Sequence, residues 1–169
     1  MKSYVPTVSD REGKVYGDGP IRVALADYGV KHNIIRCLVK RGCTVKCFPY
    51  DASMEDFLAF SPDGIMLSNG PGDPQACVKS IQELKRLYDH GLPIFGICLG
   101  HQLMALAQEF DTYKLKYGHR GINHPVKDLA ANRVYITSQN HGLSSMRTRS
   151  ILRCRRQFCQ HERRKCRRF

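Results

Sequence analysis

The sequence predicts an α/β fold built on a mostly parallel sheet with helices on both faces. Three observations carry that reading. Short apolar, β-branched runs alternate with amphipathic helical stretches at close spacing, which implies a parallel sheet covered on both sides. The run Pro93-Ile94-Phe95-Gly96 leads through Ile97-Cys98-Leu99-Gly100 straight into the apolar helix-like stretch Leu103-Met104-Ala105-Leu106-Ala107. Two Gly-bearing loops, Gly70-Pro71-Gly72 and the turn at Cys98, follow strand-like runs. Ligands of such sheets bind outside the carboxyl ends of the strands, so topology alone puts both loops in one crevice.

Taken in order, residues 1–20 are polar and turn-rich, ending Gly17-Asp18-Gly19-Pro20, and read as a lead-in segment. Ile21–Asp27 is a strand and Tyr28–Lys31 a turn. Asn33–Arg41 is an apolar-periodic helix closed by Gly42. Thr44–Phe48 is a second strand. Ser53-Met54-Glu55-Asp56 has the spacing of a capping box and opens a short helix to Phe60. Gly64–Ser68 is a third strand, and a helix over about 76–90 places Ile81, Leu84 and Tyr88 on one face. After the Cys98 turn and its helix, short strands are expected near Tyr113–Leu115 and Val134–Thr137.

With 169 residues the chain is about one domain, and 42% apolar content is ordinary for a water-soluble protein. No apolar run is long enough to span a membrane, and Met1-Lys2-Ser3-Tyr4 has no signal-peptide core. Eight cysteines in no disulfide-like spacing, several within apolar runs, point to a reducing, cytoplasmic setting. The net charge of +12 is unevenly placed: residues 147–169 hold nine Arg, one Lys and one Glu, a net +9.

The Cys98 turn is where chemistry concentrates. Glycines two before and two after a nucleophilic residue, between strand and helix, form the nucleophile-elbow pattern with Cys in place of Ser. The positive end of the following helix favours thiolate. Cys98 is therefore expected to be the most reactive thiol of the body. Releasing ammonia from a carboxamide by acyl transfer needs a nucleophile, donors for the oxyanion and a group that protonates the leaving nitrogen. Cys98 suits the first role and glycine-bearing backbone the second. Gln102 lies one helical turn beyond the nucleophile, on the same side, where it can bind substrate. An inert buried cysteine at Cys98, a plain turn at Gly70-Pro71-Gly72 and a solvated Gln102 are the competing structural readings.

The segment Gly96-Ile97-Cys98-Leu99-Gly100-His101-Gln102 resembles the nucleophile motif of the class I glutamine amidotransferases. Three more blocks, Leu67–Pro74, Lys116–Val126 and Thr137–Gly142, make residues 21–142 similar to the small, glutamine-hydrolysing subunits of carbamoyl-phosphate synthetase. The resemblance implies a partial amidotransferase domain over 21–142. It gives Cys98 as the catalytic nucleophile and Gly72 and Leu99 as oxyanion donors. Gly70, Gly72, Leu99, Gln102, Asn140 and Gly142 become the glutamine contacts. It implies no metal and no cofactor in this chain, ATP and magnesium being used by a large synthetase subunit that is the expected partner.

Three departures from the family pattern stand out. Nothing before Ile21 is long enough for the family's separate N-terminal domain. Leu143 replaces an aromatic glutamine contact. None of the seven histidines, His101 and His141 within the binding motifs included, lies in the His-Pro-Glu context of the family's catalytic dyad. The chain is thus expected to be truncated at both ends, and a catalytically impaired fragment competes with an active amidotransferase. Beyond about 142 the abrupt change from Lys to Arg reads as out-of-frame sequence, and residues 143–169 as a basic, disordered tail. Nonspecific polyanion contact by this tail is expected, and a basic nucleic-acid-binding protein is the third reading. Cys154, Cys159, His161 and Cys166 do not follow a standard zinc spacing.

Overall fold

The computed structural model describes residues 4–128, 131–146 and 158–160. The chain forms two compact units, 1–108 and 109–169.

The first unit is a five-stranded sheet in the order β1-β3-β2-β4-β5, formed by β1 (Val15–Tyr16), β2 (Ile21–Asp27), β3 (Cys43–Pro49), β4 (Gly64–Leu67) and β5 (Ile94–Gly96). β2, β3, β4 and β5 pair in parallel, and only the edge strand β1 is antiparallel. The alternation along the strands sorts side chains onto two faces. Val23, Leu25, Val45, Cys47 and Met66 pack with Ile34, Ile35 and Leu38 of α1 (His32–Val39). Ala24, Ala26, Phe48, Ile65 and Leu67 pack with Phe57 of α2 (Met54–Ala59), Leu84 and Leu87 of α3 (Val78–Asp89), and Leu99 and Leu103 of α4 (Leu99–Ala107). Helices therefore cover both faces of a mainly parallel sheet.

Local chemistry sets the helix ends where the sequence places them. Gly42, at φ +80°, follows α1 in the left-handed conformation that glycine adopts without a Cβ penalty, its N–H donating to the Val39 carbonyl at 2.9 Å. The capping box at α2 is complete: Asp56 N–H donates to Ser53 Oγ at 3.2 Å and Ser53 N–H to Asp56 Oδ2 at 2.8 Å. The expected helix over 76–90 divides into a 3₁₀ turn, Pro74–Ala76, and α3.

The residues before Ile21 are built into this unit. Val5, in a 3₁₀ turn over Val5–Thr7, is fully buried, and Ser9 Oγ accepts the Tyr50 N–H at 3.1 Å. A single valine and a two-residue strand leave no periodicity to read.

The second unit differs from expectation. In place of two short strands, β6 (Asp111–Asp128) and β7 (Arg133–Met146) form a long antiparallel ribbon, and β8 (Phe158–Gln160) pairs antiparallel with β6 at Val126–Asp128. The ribbon pairing shifts register between Lys114 and His119 and between Gly121 and His124. These irregularities break the two-residue alternation by which a strand is recognised. Of the expected disordered tail over 143–169, residues 143–146 end β7 and 158–160 form β8; residues 147–157 and 161–169 lie outside the described residues.

Candidate active site

In the sheet order, β2 stands between β3, which follows it, and β4, which comes later, so the strand order reverses beside β2. This is the switch point at which α/β sheets bind ligands. Three strand ends converge there: the turn after β2, the loop after β4 and the turn after β5.

Cys98 occupies the turn between β5 and α4 with φ +51° and ψ −105°, an unfavourable backbone conformation for a non-glycine residue. Its neighbours are glycines for steric reasons. A Cβ at Gly96 would come within 2.8 Å of His101 N and Met104 Sδ, and one at Gly100 would collide with the Leu67 carbonyl. The turn is tied to β4 by hydrogen bonds, Ile97 N–H to the Leu67 carbonyl at 3.0 Å and Gly100 N–H to the Ser68 carbonyl at 3.1 Å.

The loop Ser68–Gly72 closes against this turn. A Cβ at Gly70 would strike the Tyr28 carbonyl and come within 2.8 Å of Leu99 Cδ2, so glycine lets the loop lie between the two. Gly72 has φ +99°, and Asp73 accepts the Gln75 N–H at 3.0 Å to start the 3₁₀ turn. Gln102 is buried rather than solvated, its N–H bonded to the Cys98 carbonyl at 3.1 Å. Five expected site residues, Gly70, Gly72, Cys98, Leu99 and Gln102, thus belong to this one corner of the first unit. Asn140 and Gly142 lie on β7 of the second unit.

One electrostatic expectation is corrected. Burial pushes the Cys98 thiol above its ordinary value; the Leu99 N–H bonded to it and the Lys31 ammonium pull downward without offsetting this. Among the cysteines, Cys37 is exposed and Cys98 only partly so. Helix-terminal placement therefore does not lower the Cys98 thiol in the resting structure, because desolvation disfavours the charged sulfur more.

Two features escaped the sequence reading. Asp27 is 3% exposed at the end of β2 and accepts three backbone N–H groups. An acidic residue two before Gly29 is the available signal, that of an Asx turn. In the ribbon, His119 Nδ1 lies 3.2 Å from His141 Nε2, while His141 Nδ1 donates to the Leu143 carbonyl at 2.6 Å. Cross-strand pairing makes that contact, which no local pattern announces. Among the described residues no group of three His, Cys, Asp or Glu side chains is placed to hold a metal ion, and no helix is long and apolar enough to cross a membrane.

The family model of the class-I glutamine amidotransferases matches residues 24–162, a range that includes this turn. This chain belongs to that family. It is 53% identical over 134 residues to the carbamoyl phosphate synthase small chain of Vibrio parahaemolyticus, covering 79% of this chain and 35% of the relative. It is 58% identical over 126 residues to the protein of the same name from Listeria monocytogenes, covering 75% of this chain and 34% of that one. The chain therefore spans about a third of the length of these relatives. Among solved structures, a glutamine amidotransferase from Thermotoga maritima aligns with TM-score 0.61 at 18% identity, covering 83% of this chain and 67% of that one. A glutamine amido transferase from Methylobacillus flagellatus aligns with TM-score 0.56 at 14% identity, covering 76% and 57%. At these identities the structural likeness speaks for the α/β fold alone.

Proposed function

We propose that this chain carries the glutamine-hydrolysing site of a carbamoyl-phosphate synthetase small subunit, with Cys98 as its nucleophile. The observation that carries the reading is the glycine-walled turn holding Cys98 at positive φ against the Ser68–Gly72 loop. In the proposed reaction Cys98 Sγ attacks the side-chain amide carbon of glutamine. The C–N bond breaks, the thiol proton goes to the leaving nitrogen, and ammonia departs from a thioester. Water then cleaves the thioester, giving glutamate and restoring the thiol. Backbone N–H groups of Gly72 and Leu99 are assigned to the oxyanion, and Gly70 and Gln102 to the substrate. The family resemblance adds Asn140 and Gly142 as glutamine contacts in the second unit; the proposal rests on the first unit alone. The ammonia would pass to a large ATP- and magnesium-using subunit in the cytoplasm, with no cofactor held here.

A second reading, an impaired site, is favoured by a specific observation. The resting thiol is pushed toward its protonated form, and no histidine of the chain stands in a His-Pro-Glu context to deprotonate it. General acid–base participation is worth about 10²–10⁴ in rate, and members of a catalytic unit fail together. Glutamate release by the purified chain, with Cys98→Ala as blank, is expected at least ~100-fold below that of a complete amidotransferase domain. Turnover equal to a complete domain would remove the impaired reading. A rate indistinguishable from the blank, together with no covalent labelling of Cys98 by a glutamine-shaped electrophile, would remove the glutamine assignment.

A further inference from the structure

The geometry points to Asp27 as a positioning residue that sets the Ser68–Gly72 loop against Cys98, acting through the turn Tyr28–Lys31. The inference rests on the glutamine-hydrolase reading for its functional consequence, but its structural core does not.

Asp27 ends β2, the strand beside the switch point, and its carboxylate accepts three main-chain donors. Oδ1 accepts the N–H groups of Gly29 and Val30, each at 2.8 Å, and Oδ2 accepts the N–H of Asp10 at 2.8 Å. A buried carboxylate is costly unless hydrogen-bonded, and three backbone donors with fixed geometry meet that need while fixing the turn in return. The turn so held is threaded into the next loop. Tyr28 N–H donates to Ser68 Oγ at 2.9 Å, and that hydroxyl donates to the Asn69 carbonyl at 2.8 Å. Asn69 Nδ2 donates to the Gly29 carbonyl at 3.0 Å, and Asn69 Oδ1 accepts the Lys31 N–H at 3.2 Å. Gly29, at φ +118°, packs so closely that a Cβ there would lie 3.2 Å from Pro71 Cδ.

The loop passes the constraint on. Gly70 lies between the Tyr28 carbonyl and the Leu99 side chain, and the Ser68 carbonyl accepts the Gly100 N–H in the first turn of α4. Lys31, at the end of the same turn, is the cation that draws the Cys98 thiol downward. From Asp27 to the nucleophile the path is turn, loop, helix start, with a hydrogen bond or a van der Waals stop at each step. Asp27 touches no reacting atom in this arrangement. It places the groups that would.

The groups around Asp27 explain why a neutral substitute does not serve equally. An asparagine keeps the shape but turns an amide N–H₂ toward one of three N–H donors, leaving that donor unsatisfied. The neighbouring titratable groups are Asp10, on the segment that caps Oδ2, and Cys47 on β3. The Cys47 thiol is pushed up to about 12, by burial first and then by Asp27 and Asp10.

Asp27→Asn and Asp27→Glu variants of the full chain, compared with wild type, test the inference by peptide-level hydrogen exchange and by Cys98 labelling. In Asp27→Asn, exchange should accelerate about tenfold or more in peptides covering 28–31, 68–72 and 97–100, but not in β3 or α1. Uniform acceleration, or acceleration confined to 28–31, would overturn the inference, because a merely stabilising residue acts through global unfolding and a local cap does not reach the loop. Asp27→Glu, which keeps the charge but moves the oxygens, should fall between. The second readout is Cys98 alkylation by 6-diazo-5-oxo-L-norleucine, a glutamine-shaped diazoketone, relative to iodoacetamide. The rate ratio should drop at least about tenfold in Asp27→Asn, and an unchanged ratio would overturn the functional part. If the diazoketone does not label wild-type Cys98 and glutamate release equals the Cys98→Ala blank, the glutamine assignment fails, while the exchange pattern still decides whether Asp27 positions the loop.

Discussion

The two units of this chain are held by different physics. The first buries its apolar residues against both faces of a parallel sheet: Ala24, Leu25, Val45, Leu67, Leu87, Leu99 and Leu103 are all at most 1% exposed. The second is a ribbon that leaves several large apolar side chains in water, Tyr117 80% and Ile122 81% exposed and Val134, Tyr135 and Ile136 exposed beside them, while Tyr113, Leu115, Val126 and Leu143 are half-buried. Its order comes from the backbone ladder between β6 and β7. Charge divides the same way. Residues 1–108 carry 12 basic and 11 acidic side chains, a net +1, and residues 109–169 carry 15 and 4, a net +11. A close-packed unit can hold a residue such as Cys98 in an unfavourable conformation, because its surroundings over-determine it. The ribbon contains no comparable core among its described residues.

Core truncation should separate the two units most strongly. Leu67→Ala, at a fully buried position, is expected to cost ~2–5 kcal/mol in denaturant unfolding, whereas Ile122→Ala should stay within about 0.5 kcal/mol. Equal effects would show that the ribbon has a hydrophobic core after all.

Thiol chemistry sharpens the picture within the first unit. With iodoacetamide at neutral pH, exposed Cys37 should react before Cys98, and the Cys98 rate should keep rising through the ordinary thiol range because burial raises its pKa. The check is mass-spectrometric mapping across pH; a Cys98 rate already level at pH 7 would mean the helix terminus and Lys31 outweigh burial. Cys47 adds a stability counterpart. Its folded-state value of about 12 exceeds the reference 9.0, so its contribution is complete below pH 9 and is lost as pH rises toward 12. Melting temperature should fall over that window, and less so in Cys47→Ala.

The smallest expected effect concerns the basic part. Weak retention on a heparin column should fall steeply with salt and disappear when residues 147–169 are removed. Retention that survives in 1–146 would assign polyanion binding to the ribbon instead.

The same division explains what could be read from residues alone. In the first unit periodicity, caps and glycines are local signals: Gly42, the Ser53–Asp56 box and Gly96/Gly100 each mark a feature within a few residues of themselves. The parallel sheet, both helical faces and the Cys98 turn follow from them. The ribbon was legible only as two short strands, since its pairing joins residues across a bulged, Gly- and His-rich sequence with no steady alternation. Tertiary structure alone decided the rest. Desolvation raised the Cys98 thiol against the pull of the helix terminus, because it depends on which side chains close over the sulfur. The burial of Asp27 under three main-chain donors, one of them seventeen residues away in sequence at Asp10, required the chain to fold back on itself.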